Sequence, residues 1–129
     1  MKRNLILFFC CSLGLTSCSK KIESSGSIEL TNGKGEKVEV TYQIPPQDVE
    51  PIAKKYSYEQ FLNLVEEVSS KSKIACSHMA TYSPKELSVI QSGDTSTFMM
   101  TFYAKNSYGV EDSEILFYDV INGQFDISE

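Results

Sequence analysis

Two segments in the last third of the chain constrain the fold most strongly. The first, Thr95–Lys105, alternates like a strand and places Met99 and Tyr103 on the face opposite its phenylalanines. The second, Val110–Ile121, also carries apolar side chains on both faces. A sheet with one solvated face would alternate apolar and polar residues. The two segments therefore predict a sheet that is covered on each side.

One face of this sheet is expected to lie under a helix, which leaves the other face to be covered. The interpretation we favour is that an N-terminal hairpin folds over it. The alternatives are a protein partner or a second copy of the chain forming a homodimer, and a small apolar ligand. Methionine and aromatic side chains are common at interfaces, so the predicted binding surface comprises Met99, Tyr103 and Tyr118.

The hairpin is predicted between Ile28 and Ile44. Apolar and polar residues alternate on each side of Asn32–Gly35, which is rich in turn-forming residues. Pro45 and Pro46 end the second strand, because proline has no N–H to donate to the ladder.

An amphipathic helix is predicted to begin at Ser57. Ser57 and Gln60 have the spacing of a capping box, and apolar residues then recur at helical intervals. Weak helix formers follow, so we place the end of the helix between Ser70 and Met79.

Two further segments have strand character, Glu86–Gln91 and Gln124–Ile127. The predicted fold class is α+β, with an N-terminal β-hairpin, one amphipathic helix and a C-terminal antiparallel meander of three to four strands. Such a two-layer arrangement resembles the cystatin fold. The single domain is expected to span residues 28–129.

The chain opens with a segment typical of export signals. Lys2 and Arg3 precede the apolar run Leu5–Leu15. At about 1.5 Å per residue, a helix of this length crosses about half of a hydrocarbon core roughly 30 Å thick. The run is therefore predicted to be a signal peptide and not a membrane-spanning helix.

The residues at the end of this run, Leu15–Cys18, resemble the lipobox of bacterial lipoproteins. The resemblance implies that residues 1–17 are removed as a lipoprotein signal peptide and that Cys18 carries the lipid that holds the protein to a membrane. Ser19 stands where an aspartate would favour retention in the inner membrane, and the residues after it are basic. The resemblance thus implies a cell-envelope location, at the periplasmic face of the outer membrane in a diderm host.

A polar stretch follows the predicted lipidation site. Residues 18–27 are expected to form the lipidated cysteine and a flexible tether. Loss of Lys2 and Arg3 reduces the 12 basic residues to 10 against 17 acidic ones, a net charge of −7. This acidity argues against nucleic acid as a partner, and against attachment to anionic lipid through a basic patch.

Cysteine usage is consistent with this scheme. Cys10 and Cys11 leave with the signal peptide and Cys18 is modified, so Cys76 alone remains. No intramolecular disulfide is expected. Cys76 is interpreted as a small buried apolar residue, with an intermolecular bridge or a reactive thiol as the alternatives.

Residues that could support catalysis are sparse. His78 is the only histidine, and no second His or Cys lies at the spacing of a zinc site. Adjacent glutamates in the predicted helix point apart, which does not suit a shared substrate. Calcium at Glu111, Asp112 and Glu114 is the remaining metal alternative. We expect no enzymatic activity, no metal and no cofactor.

The segment from Cys76 to Val110 resembles a pattern in small bacterial and phage proteins. In these proteins a helix leads into a turn with Tyr and Pro, here Tyr82–Lys85. Two strands follow, the second ending in Ala-Lys-Asn-Ser-aromatic-Gly, here Ala104–Gly109. The usual Asn-Pro before the turn is Ala80-Thr81 in this chain. The resemblance implies an architecture and brings no catalytic residues.

The expected function is that of a membrane-anchored envelope lipoprotein that binds protein without enzymatic activity, as an accessory subunit or an inhibitor. The alternative is a lipoprotein that binds a small ligand between the helix and a curved sheet. A sealed apolar core would favour the first function. A cavity lined by Tyr58, Phe61 and Tyr103 would favour the second.

Overall fold

One six-stranded sheet with a long helix on one face organises the domain. The structure, a computed structural model, describes residues 21–46 and 51–126. The predicted α+β class is confirmed. In chain order the elements are β1 (Ser25–Thr31), β2 (Lys37–Gln43), α1 (Ile52–Lys55), α2 (Tyr58–Ile74), a 3₁₀ turn (Met79–Thr81), β3 (Ser83–Ser92), β4 (Thr95–Lys105), β5 (Glu111–Ile121) and β6 (Gln124–Phe125).

The strands lie side by side in the same order as in the sequence. Neighbouring strands are antiparallel except β2 and β3, which are parallel and pair Thr41 with Glu86. Parallel neighbours need a long crossover connection. Here α1 and α2 form it, so α2 is placed against the face of the sheet that it crosses.

The prediction that the hairpin folds over the second face of the sheet is wrong. Strands β1 and β2 form the expected hairpin, but they continue the sheet beyond β3 and do not cover it. The sheet accordingly has six strands in one layer, where we predicted a separate meander of three to four. The cause is the parallel pairing of β2 with β3, which leaves the hairpin at the edge.

The two predicted turn and cap motifs form as expected. In the hairpin turn, Asn32 Oδ1 accepts hydrogen bonds from the backbone N–H groups of Lys34 and Glu36, both at 2.9 Å. At the start of α2, Ser57 Oγ accepts from the Gln60 N–H at 3.1 Å and Gln60 Oε1 accepts from the Ser57 N–H at 2.8 Å. The helix ends at Ile74, within the predicted interval.

The core lies between α2 and the sheet, and Phe61 stands at its centre. The Phe61 ring meets Tyr42 of β2 edge-on, with centroids 5.4 Å apart, and lies 6.1 Å from Phe98 of β4. All three side chains are buried. Burying an aromatic side chain contributes about 1.5–3 kcal/mol, so this contact fixes the helix across the middle of the sheet.

The tether is shorter than predicted. Strand β1 begins at Ser25, and Ile22 is buried in the core, so the residues from Ile22 onward belong to the domain. The predicted signal peptide, Cys18 and Ser19 lie outside the described residues. Among the helices that the structure describes, none is long and apolar enough to cross a membrane.

Candidate functional site

The face of the sheet that points away from α2 carries an apolar patch. Register pairs bring Met99 beside Phe117 and Thr101 beside Ile115 on strands β4 and β5. Side chains at these positions point to the same face because they alternate along each strand. We call this set of open-face residues the apolar patch: Ile90, Met99, Tyr103, Ile115, Phe117 and Ile121.

The apolar patch is accessible. Phe117 is 64% exposed and Ile115 is 53% exposed, although both lie on a central stretch of β5. Met99 and Ile90 are half-buried among their neighbours. Large contiguous apolar surfaces are uncommon on proteins that work alone, and they mark binding sites.

The other half of the open face is polar. Over the hairpin strands β1 and β2, the side chains that point away from α2 are hydrophilic: Ser27, Glu29, Thr31, Lys37, Glu39, Thr41 and Gln43. The boundary between the two halves falls at β3, where Glu86 and Ser88 precede Ile90. The apolar surface is therefore local to β4, β5 and the end of β3, and is not a property of the whole face.

Two of the three predicted surface residues lie at this site. Met99 is in the middle of the apolar patch, and Tyr103 lies near the end of β4 with the Lys85 Nζ atom 5.2 Å from its ring centroid. Such a contact between an ammonium group and an exposed aromatic ring contributes about 0.5–1 kcal/mol. The ammonium group thus places a positive charge at the rim of the patch.

Tyr118, the third predicted surface residue, lies on the opposite face. Its hydroxyl accepts a hydrogen bond from Ser72 of α2 at 3.2 Å, and its ring packs against the core. Burial raises the pKa of Tyr118, and the hydrogen bond from Ser72 partly offsets that rise. Tyr118 therefore contacts the helix and cannot share a surface with Met99 and Tyr103.

The predicted binding surface omitted four residues of the apolar patch, of which Ile115 and Phe117 are the most exposed. Odd-numbered residues of β5 face away from α2, so they join Met99 and Tyr103, whereas Tyr118 falls on the even-numbered side. The sequence contains this signal, because the pairing of β4 with β5 follows from the length of the turn between them. The turn Asn106–Val110 joins the two strands, so positions equally far from the turn lie opposite each other, as Met99 and Phe117 do.

The cavity predicted for a small ligand is not assembled from the three expected residues. Phe61 is fully buried between α2 and the sheet, and Tyr103 is on the other face. Tyr58 borders an open depression of about 750 Å³ beside α1, together with Tyr56 and Ile22. No single cavity is therefore shared by Tyr58, Phe61 and Tyr103.

The reactive side chains show no catalytic arrangement within the described residues. His78 is exposed before the 3₁₀ turn. The Cys76 thiol donates to the Ser72 carbonyl oxygen at 3.3 Å, and burial raises its pKa, which favours the unreactive thiol over the thiolate. In residues 21–46 and 51–126, no group of three His, Cys, Asp or Glu side chains could hold a metal ion, Glu111, Asp112 and Glu114 included.

Fold and site together define an α+β domain with a half-apolar open sheet face. No protein-family model, no curated protein and no solved structure matches this chain.

Proposed function

We propose that this chain is a lipid-anchored envelope lipoprotein whose domain binds another protein through the apolar patch. The observation that carries the proposal is the exposure of Phe117 and Ile115 beside Met99 on a regular part of the sheet, where β5 pairs with β4. A partner that covers them removes their remaining apolar surface from water, which is favourable by about 25 cal/mol per Å². No catalytic step is proposed.

The anchoring part of the proposal rests on the sequence. The basic start, the short apolar run and Leu15–Cys18 have the order and spacing of a lipoprotein signal. Lipid on Cys18 would hold the domain at the outer membrane, on its periplasmic face in a diderm host. Since Ile22 is already buried in the domain, the tether is short and keeps the domain near the membrane surface.

An accessory or inhibitor role agrees with the shape of the site. An open sheet face is a flat surface, which suits a protein partner better than a small molecule, because ligand sites are concave and enclose most of the ligand. The alternative, a cystatin-like domain with a ligand pocket between helix and sheet, has less support. Phe61 fills that space and is fully buried.

The experiment that tests this function is capture from detergent-solubilised envelopes with the Cys18-anchored protein as bait. The test variant combines Met99→Glu with Tyr103→Glu on β4. Its matched control combines Ser27→Glu with Thr31→Glu, two exposed positions four residues apart on β1, which adds the same charge to the polar half of the same face.

We expect a specific partner that the wild-type chain and the control retain and that the test variant loses. Circular dichroism checks that both variants keep the sheet. Retention of the partner by the test variant would contradict the proposal, as would an empty capture with a wild-type chain that is correctly anchored.

A further inference from the structure

Strand β5 is an edge strand over most of its length. Strand β6 pairs only with Val120 and Ile121, and the Asp126 N–H adds one more bond to the Asp119 carbonyl oxygen at 2.9 Å. Beside Glu111–Tyr118, no strand of the described residues lies on the outer side. We call this stretch the free edge.

The register identifies which backbone groups of the free edge point outward. In an antiparallel pair, residues alternate between those that bond to the neighbouring strand and those that face away. Asp119 is bonded to the β6 side, so the odd-numbered residues of β5 face outward. The turn gives the same alternation. The Asn106 N–H donates to the Val110 carbonyl oxygen at 2.9 Å, so the even-numbered residues of β5 bond to β4 and the odd-numbered ones face outward. Ser113, Ile115 and Phe117 therefore present N–H and C=O groups to a strand that could be added.

The free edge has two chemically different halves. Its first half is acidic, with Glu111, Asp112 and Glu114, and all three side chains are exposed. Its second half is apolar on both faces, with Ile115 and Phe117 on the open face and Leu116 and Tyr118 on the helix face. A strand added here would meet a row of outward-facing backbone N–H and C=O groups. Acidic side chains flank one end of this row and apolar side chains flank the other.

We propose that the free edge binds an extended segment of a partner protein, in which an apolar half is followed by a basic half, by antiparallel strand addition. The proposal rests on the proposed function and identifies the partner segment that would bind there. The apolar half of the segment lies beside Ile115 and Phe117 and extends the apolar patch. Its Lys or Arg residues lie opposite Glu111, Asp112 and Glu114, where opposite charges on paired strands are favourable.

Charge argues for a different chain as the occupant. If two copies of this chain paired antiparallel about Ile115, Glu114 would lie opposite Leu116 and Asp112 opposite Tyr118 of the second copy. No basic side chain would then lie opposite any carboxylate of the free edge. The whole chain also has a net charge of −5, which opposes self-association.

The test uses synthetic peptides as long as the free edge, with an apolar half followed by a lysine-rich half, and titrates them against the purified domain. The first comparison replaces the lysines with glutamates. The second methylates the two backbone nitrogens that would face Ser113 and Ile115. Its matched control methylates the two neighbouring nitrogens, which would point away from β5.

We expect the lysine peptide and the control to bind alike. The peptide methylated opposite Ser113 and Ile115 should bind at least about tenfold more weakly, since two lost hydrogen bonds are worth about that much. The glutamate peptide should also bind more weakly, because its carboxylates repel those of the free edge. Binding of the lysine peptide should also weaken as salt is raised. Equal binding by the two methylated peptides would overturn strand addition, as would tighter binding of the glutamate peptide.

A variant of the domain tests the same edge from the other side. Ser113→Pro removes one outward N–H, which the Asp112 carboxylate contacts at 3.1 Å, without breaking the ladder to β4. Ser113→Ala is the control that keeps the N–H. We expect binding of the lysine peptide to fall about fivefold in Ser113→Pro only. A dimer in sedimentation that Ser113→Pro abolishes would overturn the proposal in favour of a second copy.

These outcomes are distinguishable from failure of the proposed function. Loss of the envelope partner in the variant with Met99→Glu and Tyr103→Glu, together with its retention by Ser113→Pro, would mean that the apolar patch binds the partner and the free edge does not. In that case the present inference fails and the proposed function stands.

Discussion

At the scale of single residues, Gly33 joins the hairpin turn to the segment after α2. Its N–H donates to the Tyr82 carbonyl oxygen at 2.8 Å. A Cβ atom on Gly33 would overlap the carbonyl groups of Met79 and Ala80, which are backbone atoms and cannot turn aside. The position therefore requires glycine for close packing and not for an unusual backbone angle.

This contact predicts a sharp difference between two neighbouring substitutions. Gly33→Ala should lower the free energy of unfolding by about 1–3 kcal/mol, the usual cost of forcing extra volume into a packed site. Lys34→Ala, in the same turn but exposed, should change it by less than about 0.5 kcal/mol. Urea denaturation measures both values, and equal stabilities for the two variants would contradict the packing described here.

A buried hydroxyl pair links α2 to the start of β3. Ser69 Oγ and the Tyr82 hydroxyl lie 2.8 Å apart, and both side chains are buried. Burial raises the pKa of Tyr82 to about 12 from its ordinary value of 10.0, and the hydrogen bond with Ser69 offsets part of that rise. The folded chain therefore holds this proton more tightly than the unfolded chain.

The consequence is a loss of stability at high pH. Between pH about 10 and about 12 the unfolded state releases the Tyr82 proton and the folded state retains it, so stability is fully present below pH 10 and falls as the pH rises. Two pKa units correspond to about 3 kcal/mol of folding stability, which is lost by the time the pH passes about 12. Tyr82→Phe should make the fall of stability between pH about 10 and about 12 less steep. It should not abolish that fall, because burial also raises the pKa of Tyr42 and Tyr118. Thermal melts at stepped pH test it, and unchanged steepness in Tyr82→Phe would contradict it.

At the scale of elements, the capping box at Ser57 defines where α2 begins. Ser57→Ala removes the bond to the Gln60 N–H at 3.1 Å and should cost about 1 kcal/mol. Ser70→Ala, at an exposed position within the same helix, should be neutral or slightly stabilising because alanine is the better helix former. Chemical denaturation of the two variants gives the comparison, and a larger loss in Ser70→Ala would argue against the cap.

The elements that could be predicted from sequence are those whose signals are local. The turn at Asn32–Gly35, the cap at Ser57 and the alternation in Thr95–Lys105 each depend on residues close together in the chain. Strand β3 is longer than predicted, because Ser83 and Pro84 join it through an irregular pairing before Glu86. The short helix α1 was not predicted at all.

The parallel pairing of β2 with β3 could not be predicted in this way. Thr41 and Glu86 are far apart in sequence, and nothing in either strand specifies its neighbour. That one pairing decides whether the hairpin covers the sheet or extends it. The candidate site has a different limit. Met99 and Tyr103 could be selected by residue type, whereas placing Tyr118 also required its strand face to be assigned from the register across the turn between β4 and β5.

At the scale of the whole molecule, a partner on the open face would explain why β4 and β5 are apolar on both sides. The helix and core cover one side, where Phe98 and Met100 are fully buried. We propose that a partner covers the other side, over the apolar patch and along the free edge of β5. A lipid anchor at Cys18 would concentrate the domain at a membrane, where a flat and moderately apolar surface meets its partner often.

The central claim is that the apolar patch is covered in the cell envelope. Hydroxyl-radical footprinting measures this directly, because methionine and aromatic side chains react readily when they are exposed. We predict that Met99 and Phe117 react less in intact envelopes than in the purified domain. Tyr108, which is 89% exposed in the turn between β4 and β5, should react equally in both. Equal reactivity of Phe117 in the two preparations would contradict the account.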